Sequence, residues 1–179
     1  MSKNDVFFSI ICGLAVAWVA TDFFGRYAWI FFIILPVLSI LGLWLADLIG
    51  KRFLFIHQAG KFVLAGAFAD VADIKIFQLL LWFAPFSLFC KGISFLVAMG
   101  IKYWANKHWA FGEHDGRQIA QFFLVTVVGL AINVSSFYFL SRIGTGISTK
   151  LWVELSIIFA ALITAVWNFL GYKFIVFKK

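Results

Sequence analysis

The sequence predicts an all-α protein: a polytopic bundle of transmembrane helices, built from duplicated two-helix hairpins behind an N-terminal hydrophobic pair. Three observations predict it. The chain has 179 residues, of which 64% are hydrophobic and only 13% charged, and its mean hydropathy is +1.00. A soluble domain carries about 25% charged residues, and a fold this small leaves much of its surface in contact with solvent. Lipid is therefore the solvent for most of the chain. Long uncharged runs recur along it, and segments of its last two-thirds repeat one another. A soluble enzyme, a nucleic-acid reader, a disulfide scaffold and a disordered tail are all excluded by this composition.

The elements follow from the length of a helical span, about 20 apolar residues. Six spans are expected: 6–24, 27–48, 61–82, 88–107, 119–141 and 152–173. The first rests on the 16-residue uncharged run Val6–Thr21, the shortest of the full spans. It reads as a retained segment and not a cleaved signal, because Lys3 is followed by Asp5 and a second apolar span comes almost at once. The third is apolar yet carries Asp70, Asp73 and Lys75. Pro85 marks the turn into the fourth. Cys12 and Cys90 lie in or beside apolar stretches and do not suggest a disulfide framework.

Charge sets the orientation. With the N-terminus inside, ten of the Lys and Arg residues fall on the inner side and four on the outer, with Lys75 inside a span. That asymmetry satisfies the positive-inside rule and places both termini in the cytoplasm. The net charge of +7 then reflects topology and anionic headgroups, and nucleic acid is not expected as a partner.

Two stretches repeat. Gly66 is followed at +4, +7 and +11 by Asp70, Asp73 and Phe77, and Gly129 at the same offsets by Asn133, Ser136 and Leu140. Tyr103, Lys107 and Phe111 match Phe169, Lys173 and Phe177 with a constant shift of 66. The expected organisation is an extension, 1–58, and a four-helix domain, 59–179, whose repeats are 59–117 and 118–179. Each repeat has an even number of spans, so the copies run the same way, related by an axis along the membrane normal.

The few polar residues within these spans are the candidate site. Gly66, Asp70, Asp73 and Phe77 share one helical stripe. Carboxylates facing lipid would cost several kcal/mol, roughly 2.5–3.5 each on insertion scales, so the stripe faces protein or water. It either lines a polar cleft with Asn133 and Ser136 or locks the bundle through interhelical bonds. Gly66 and Gly129 suit close helix approach. Lys75 lies around the helix from the two carboxylates and either snorkels or pairs with another helix. A second, basic set comprises Lys61, Lys102, Lys107, Arg117 and Lys173. Lys107 and Lys173 sit at equivalent helix ends, where cations suit the helix dipole, lipid phosphate and positive-inside topology alike. Asn168 can bond a headgroup or a neighbouring helix. Trp104, Trp109, Trp152 and Trp167 read as interfacial anchors, and Glu154 as a dipole-favoured carboxylate at a helix start. His57, His108 and His114 lack metal-ligand spacing. No cofactor is indicated, no nucleophile–base pair stands out, and the chain is not expected to be an enzyme.

The runs KFVLAGAFADVADIKIF (61–77), YWANKHWAF (103–111), QFFLVTVVGLAINVSSF (121–137) and WNFLGYKFIVF (167–177) together resemble the GtrA-like family of small four-span bacterial membrane proteins. Asn106-Lys107 keeps that family's asparagine–basic ending in the first copy, and Asn168-Phe169 its asparagine–aromatic ending in the second. Lys102 and Tyr172 replace the other two asparagines. The resemblance implies flipping of a polyprenyl-phosphate-linked sugar across the cytoplasmic membrane of a prokaryote, supplying membrane glycosyltransferases in cell-surface polysaccharide synthesis. Under it, Lys61, Lys107 and Lys173 would hold the phosphate, and Asp70, Asp73, Asn133 and Asn168 would line the sugar's path. Neither half alone encloses a path, so a homo-oligomer is expected. A scaffold that recruits a glycosyltransferase and a small ion-coupled exporter are the alternative readings.

Overall fold

The structure, a computed structural model, describes residues 1–83, 86–112, 118–143 and 149–177. Pro85, His114 and Arg117 lie outside them, as does the side chain of Glu154. The described residues are helical throughout, with short joints and no strand: α1 (Lys3–Phe24), α2 (Phe31–Gly50), α3 (Leu54–Phe83), α4 (Ser87–Ala105), α5 (Ile119–Leu140) and α6 (Thr149–Gly171). A 3-10 turn, Gly25–Ile30, joins α1 to α2, and π-helical turns extend α4 (Asn106–Ala110) and α6 (Tyr172–Val176). The chain forms two compact units, 1–112 and 113–179.

In the first unit α1 begins at a reciprocal cap. Ser2 Oγ accepts the Asp5 N–H at 3.2 Å, and Asp5 Oδ2 accepts the Ser2 N–H at 2.9 Å. The helix ends at Gly25, whose φ of 51° only glycine adopts freely. The first span is thus a full helix, and Lys3–Asp22 is long and apolar enough to cross a bilayer. Gly25–Gly50, Ile119–Leu140 and Leu155–Val176 meet the same test of length and composition. At 30 residues α3 is long enough, but Lys61, Asp70, Asp73 and Lys75 dilute its apolarity, and α4 carries Lys91 and Lys102.

Pro36 lies inside α2 and is buried. Its ring removes a backbone donor, a loss that membrane helices tolerate where a neighbouring helix packs closely. Gly13 of α1 provides that closeness, since a Cβ there would collide with the Pro36 backbone. The sequence marks residues 1–58 as an addition to the duplicated core. In the first unit α1 and α2 pack on α3, and Cys12, Leu43, Ala65, Ala105 and Trp109 form one shared core. Many of the buried residues are small (Ser9, Ala17, Ala65, Ala69, Ser94, Ala98), while Leu, Ile, Val and Phe crowd the exposed surface. Helices in lipid pack in this way, because burying Leu gains nothing over contact with an acyl chain.

The second unit is the hairpin α5–α6. Gly129 sits directly beneath the Asn168 side chain, and Gly171 faces Val125, whose Cγ1 would lie 2.5 Å from an added Cβ. Gly129 is thus the close-approach residue that the sequence suggested. Gly66 is not: among the described residues a Cβ there would meet nothing within 4 Å. The reason lies one helix away. By the shift of 66, Lys102 stands where Asn168 stands, and the long side chain does not fold onto the glycine as the short amide does.

This difference is measurable. Gly129→Ala should lower stability by about 1–3 kcal/mol through overpacking, while Gly66→Ala should be neutral or slightly stabilising, since alanine is the better helix former. Thermal unfolding of both variants in one detergent checks the ranking.

Candidate functional site

The shift of 66 reappears in the backbone. Phe111 N–H donates to Asn106 O at 2.9 Å, and Phe177 N–H donates to Tyr172 O at 2.7 Å. Both are i-to-i+5 bonds, and they begin and end at equivalent residues. Single π turns are rare and cluster at functional sites, because the extra residue widens the helix and re-aims side chains. Lys107 and Lys173 are the second residues of the two turns.

Lys107 is the exceptional side chain. It is only 7% exposed, and its Nζ lies 5.6 Å from the centre of the Tyr103 ring. No carboxylate among the described residues comes within ion-pair distance of it. A ring face repays only part of the cost of desolvating an ammonium. Beside it Asn106 is fully buried, with its Nδ2 donating to Lys102 O at 2.7 Å and its Oδ1 without a donor among the described residues. In the second unit Asn168 likewise leaves a buried Oδ1 without a donor among the described residues. Lys173 is half-buried, with its Nζ 5.8 Å from the Phe174 ring. Tyr172, at the head of that turn, is fully buried, stacks on Phe122 at 4.4 Å and shares a 2.8 Å hydrogen bond with Thr126. Each half therefore contains a lysine in a π turn and a buried amide oxygen that can accept a hydrogen bond.

Lys61 was expected to offer a third cation to phosphate, and it does not. Its Nζ lies 2.7 Å from Asp5 Oδ1, which also accepts Trp109 Nε1–H at 2.9 Å. Asp5 is buried, so the charge of Lys61 is neutralised within the unit. Lys75 is engaged as well. Its Nζ donates to both oxygens of Asp22, at 2.9 and 2.8 Å, and Gln78 Nε2 joins them at 3.0 Å. The partner carboxylates, Asp5 and Asp22, both belong to the extension. The signal for them was present in the sequence, since two acids flank an apolar α1 and two lysines lie in α3.

The two carboxylates of the α3 stripe diverge. Asp73 pairs with Lys91 of α4 and accepts Ser94 Oγ–H at 2.6 Å, which is the locking arrangement. Asp70 is exposed and makes no ion pair or hydrogen bond with the described residues. Asn133, half-buried in the second unit, is likewise without a hydrogen bond to them. The tryptophans make bonds that the sequence did not suggest. Trp109 is buried on Asp5, while Trp152 and Trp167 donate to Leu140 O at 2.8 Å and Val125 O at 3.1 Å. Trp104 alone of the four is exposed.

A family model described as GtrA/DPMS, transmembrane domain, matches residues 61–177. The chain belongs to this family. Its span covers α3 to the end of the second π turn and leaves α1 and α2 outside. Family membership makes the chain a multi-pass membrane protein of a group concerned with lipid-linked sugars. No curated protein and no solved structure matches it.

The Asp5–Lys61 pair yields a stability test. Lys61→Met strands a buried carboxylate and should cost about 3–5 kcal/mol. Adding Asp5→Asn should recover most of that loss. Thermal unfolding of the two single variants and the double variant checks it, and additive losses would show that the pair is not coupled.

Proposed function

We propose that this chain translocates a polyprenyl-phosphate-linked monosaccharide across the cytoplasmic membrane of a prokaryote, without catalysing a bond change. Both termini lie in the cytoplasm in this reading, as the distribution of lysines and arginines requires. One observation carries it: Lys107 is buried in a π turn with no anionic partner among the described residues, and Lys173 holds the equivalent position in the second π turn. A lysine so placed is stabilised by an anion that arrives with its own apolar anchor. A lipid phosphate is such an anion, and hydrogen bonds between ionised partners are about twice as strong as neutral ones.

The neighbouring groups suit the rest of the ligand. The Oδ1 atoms of Asn106 and Asn168 need donors, and sugar hydroxyls are donors. Asp70, which makes no ion pair among the described residues, offers a further acceptor on α3. Asp73 contributes indirectly, by fixing α3 against α4 through Lys91. The polyprenyl tail needs no pocket, because the exposed Leu, Ile and Phe surface already faces lipid. The family's association with lipid-linked sugars supports the same class of cargo.

The test is transbilayer movement of a polyprenyl-phosphate sugar in proteoliposomes. The wild-type chain should accelerate it over empty vesicles. Lys107→Met and Lys173→Met should each slow it by about 10- to 100-fold, the worth of a charged hydrogen bond of roughly 1.5–3 kcal/mol. Wild-type vesicles no faster than empty ones would overturn the proposal.

A further inference from the structure

Lys75 and its partners take no part in that reading, yet they border a cavity of about 770 Å³ between α1 and α3. The cavity lies toward the opposite end of the unit from the π turn. Trp109 of that turn bonds Asp5 at the start of α1, whereas Asp22 is near the end of the same helix. From Lys61 to Lys75 the helix rises roughly 21 Å. The walls are of two kinds. Phe68, Leu79 and their neighbours are apolar, while Asp22, Lys75 and Gln78 form one polar cluster on the rim.

The charges select the ligand. Asp22 and Lys75 neutralise one another, so an anion would meet a carboxylate that already holds the cation. A neutral group with many hydroxyls meets no such opposition. The Asp22 carboxylate keeps acceptor capacity beyond its bonds to Lys75 and Gln78, and the Gln78 amide brings both a donor and an acceptor. Two indoles complete the wall. Trp18 is 54% exposed and Trp82 is 87% exposed, and both line the cavity. Their electron-rich faces suit the polarised C–H face of a sugar ring. Lys75 Nζ lies 5.0 Å from the Trp18 ring centre, which fixes that indole at the edge of the polar cluster.

We propose that the α1–α3 groove binds a neutral glycosyl group carried on a lipid chain. The sugar ring sits against Trp18 and Trp82 with its hydroxyls on Asp22 and Gln78, and the chain lies along Phe68 and Leu79. Trp18 and Asp22 precede the segment that the family model matches, so the extension builds half of this site. The site requires no phosphate and no transport, and it stands on its own residues. Joined to the translocation reading, it is a second station for the sugar, at the far membrane face.

The experiment uses the full chain in phospholipid nanodiscs and two diazirine probes of equal chain length. One is a dodecyl β-glucoside, the other a dodecyl tri(ethylene glycol). The labelled peptides are mapped by mass spectrometry. The glucoside should label the segments 15–22 and 68–82, at least about fivefold more than the glycol probe, a ratio that aromatic contact and one or two hydrogen bonds supply. Trp82→Ala should cut that excess by at least about threefold, and because Trp82 is almost wholly exposed the variant keeps its fold. Asp22→Asn should act in the same direction. Equal labelling by the two probes, labelling confined to other helices, or an undiminished signal from Trp82→Ala would each overturn the proposal. None of these outcomes depends on whether the chain moves a lipid phosphate.

Discussion

A charge inside hydrocarbon must have a partner or reach water, and that requirement shapes this chain. Helix α3 carries two lysines and two aspartates within a segment that the family model assigns to a transmembrane domain. Exposed singly to lipid, each would cost several kcal/mol. Three of the four are answered by other helices: Lys61 by Asp5, Lys75 by Asp22 and Asp73 by Lys91. The first two pairs lie toward the two ends of α1, so α1 runs beside α3 in the same direction, clamped at each end. The extension is thus part of what makes α3 tolerable in a membrane. Lys107 stands apart from this pattern, since no carboxylate among the described residues pairs with it, and the proposed lipid phosphate would answer it.

The two hairpins show what duplication kept and what it changed. Both keep the π turn, and both keep a lysine as its second residue. Around those lysines the halves differ. Asn106 opens the first turn and Tyr172 the second. Trp109 bonds Asp5, whereas its counterpart by the same shift, Ile175, has no N–H on its side chain to give. Asn168 packs on Gly129, while Lys102 leaves Gly66 open. The first half is therefore tied to the extension through polar contacts, and the second is held by aromatic stacking and a buried hydroxyl pair.

Much of this was legible from the residues. Uncharged runs located the helices, and the constant shift between Tyr103–Phe111 and Phe169–Phe177 marked two equivalent helix ends, although nothing in it announced the π turns found there. Pairing was harder to read. Periodicity gives the face on which Lys61 or Lys75 lies, but their carboxylates are on α1, which is remote in sequence and was taken for an addition. Lys61 therefore looked free, and it is not. Gly66 misled for a related reason. Its offsets to Asp70 and Asp73 mirror those of Gly129, but close approach depends on the residue opposite, and that residue differs. Trp109, Trp152 and Trp167 looked like anchors because tryptophan favours interfaces. Each also donates its indole N–H to an acceptor within its own unit, which periodicity could not show.

The central claim is that the lysines of the π turns hold a lipid phosphate. Mass spectrometry of lipids that co-purify with the chain tests this most directly. The account predicts a polyprenyl-phosphate glycan retained by the wild-type protein and depleted when Lys107 and Lys173 are both changed to methionine. Recovery of bulk phospholipid alone, or retention of the same glycan by the double variant, would contradict it.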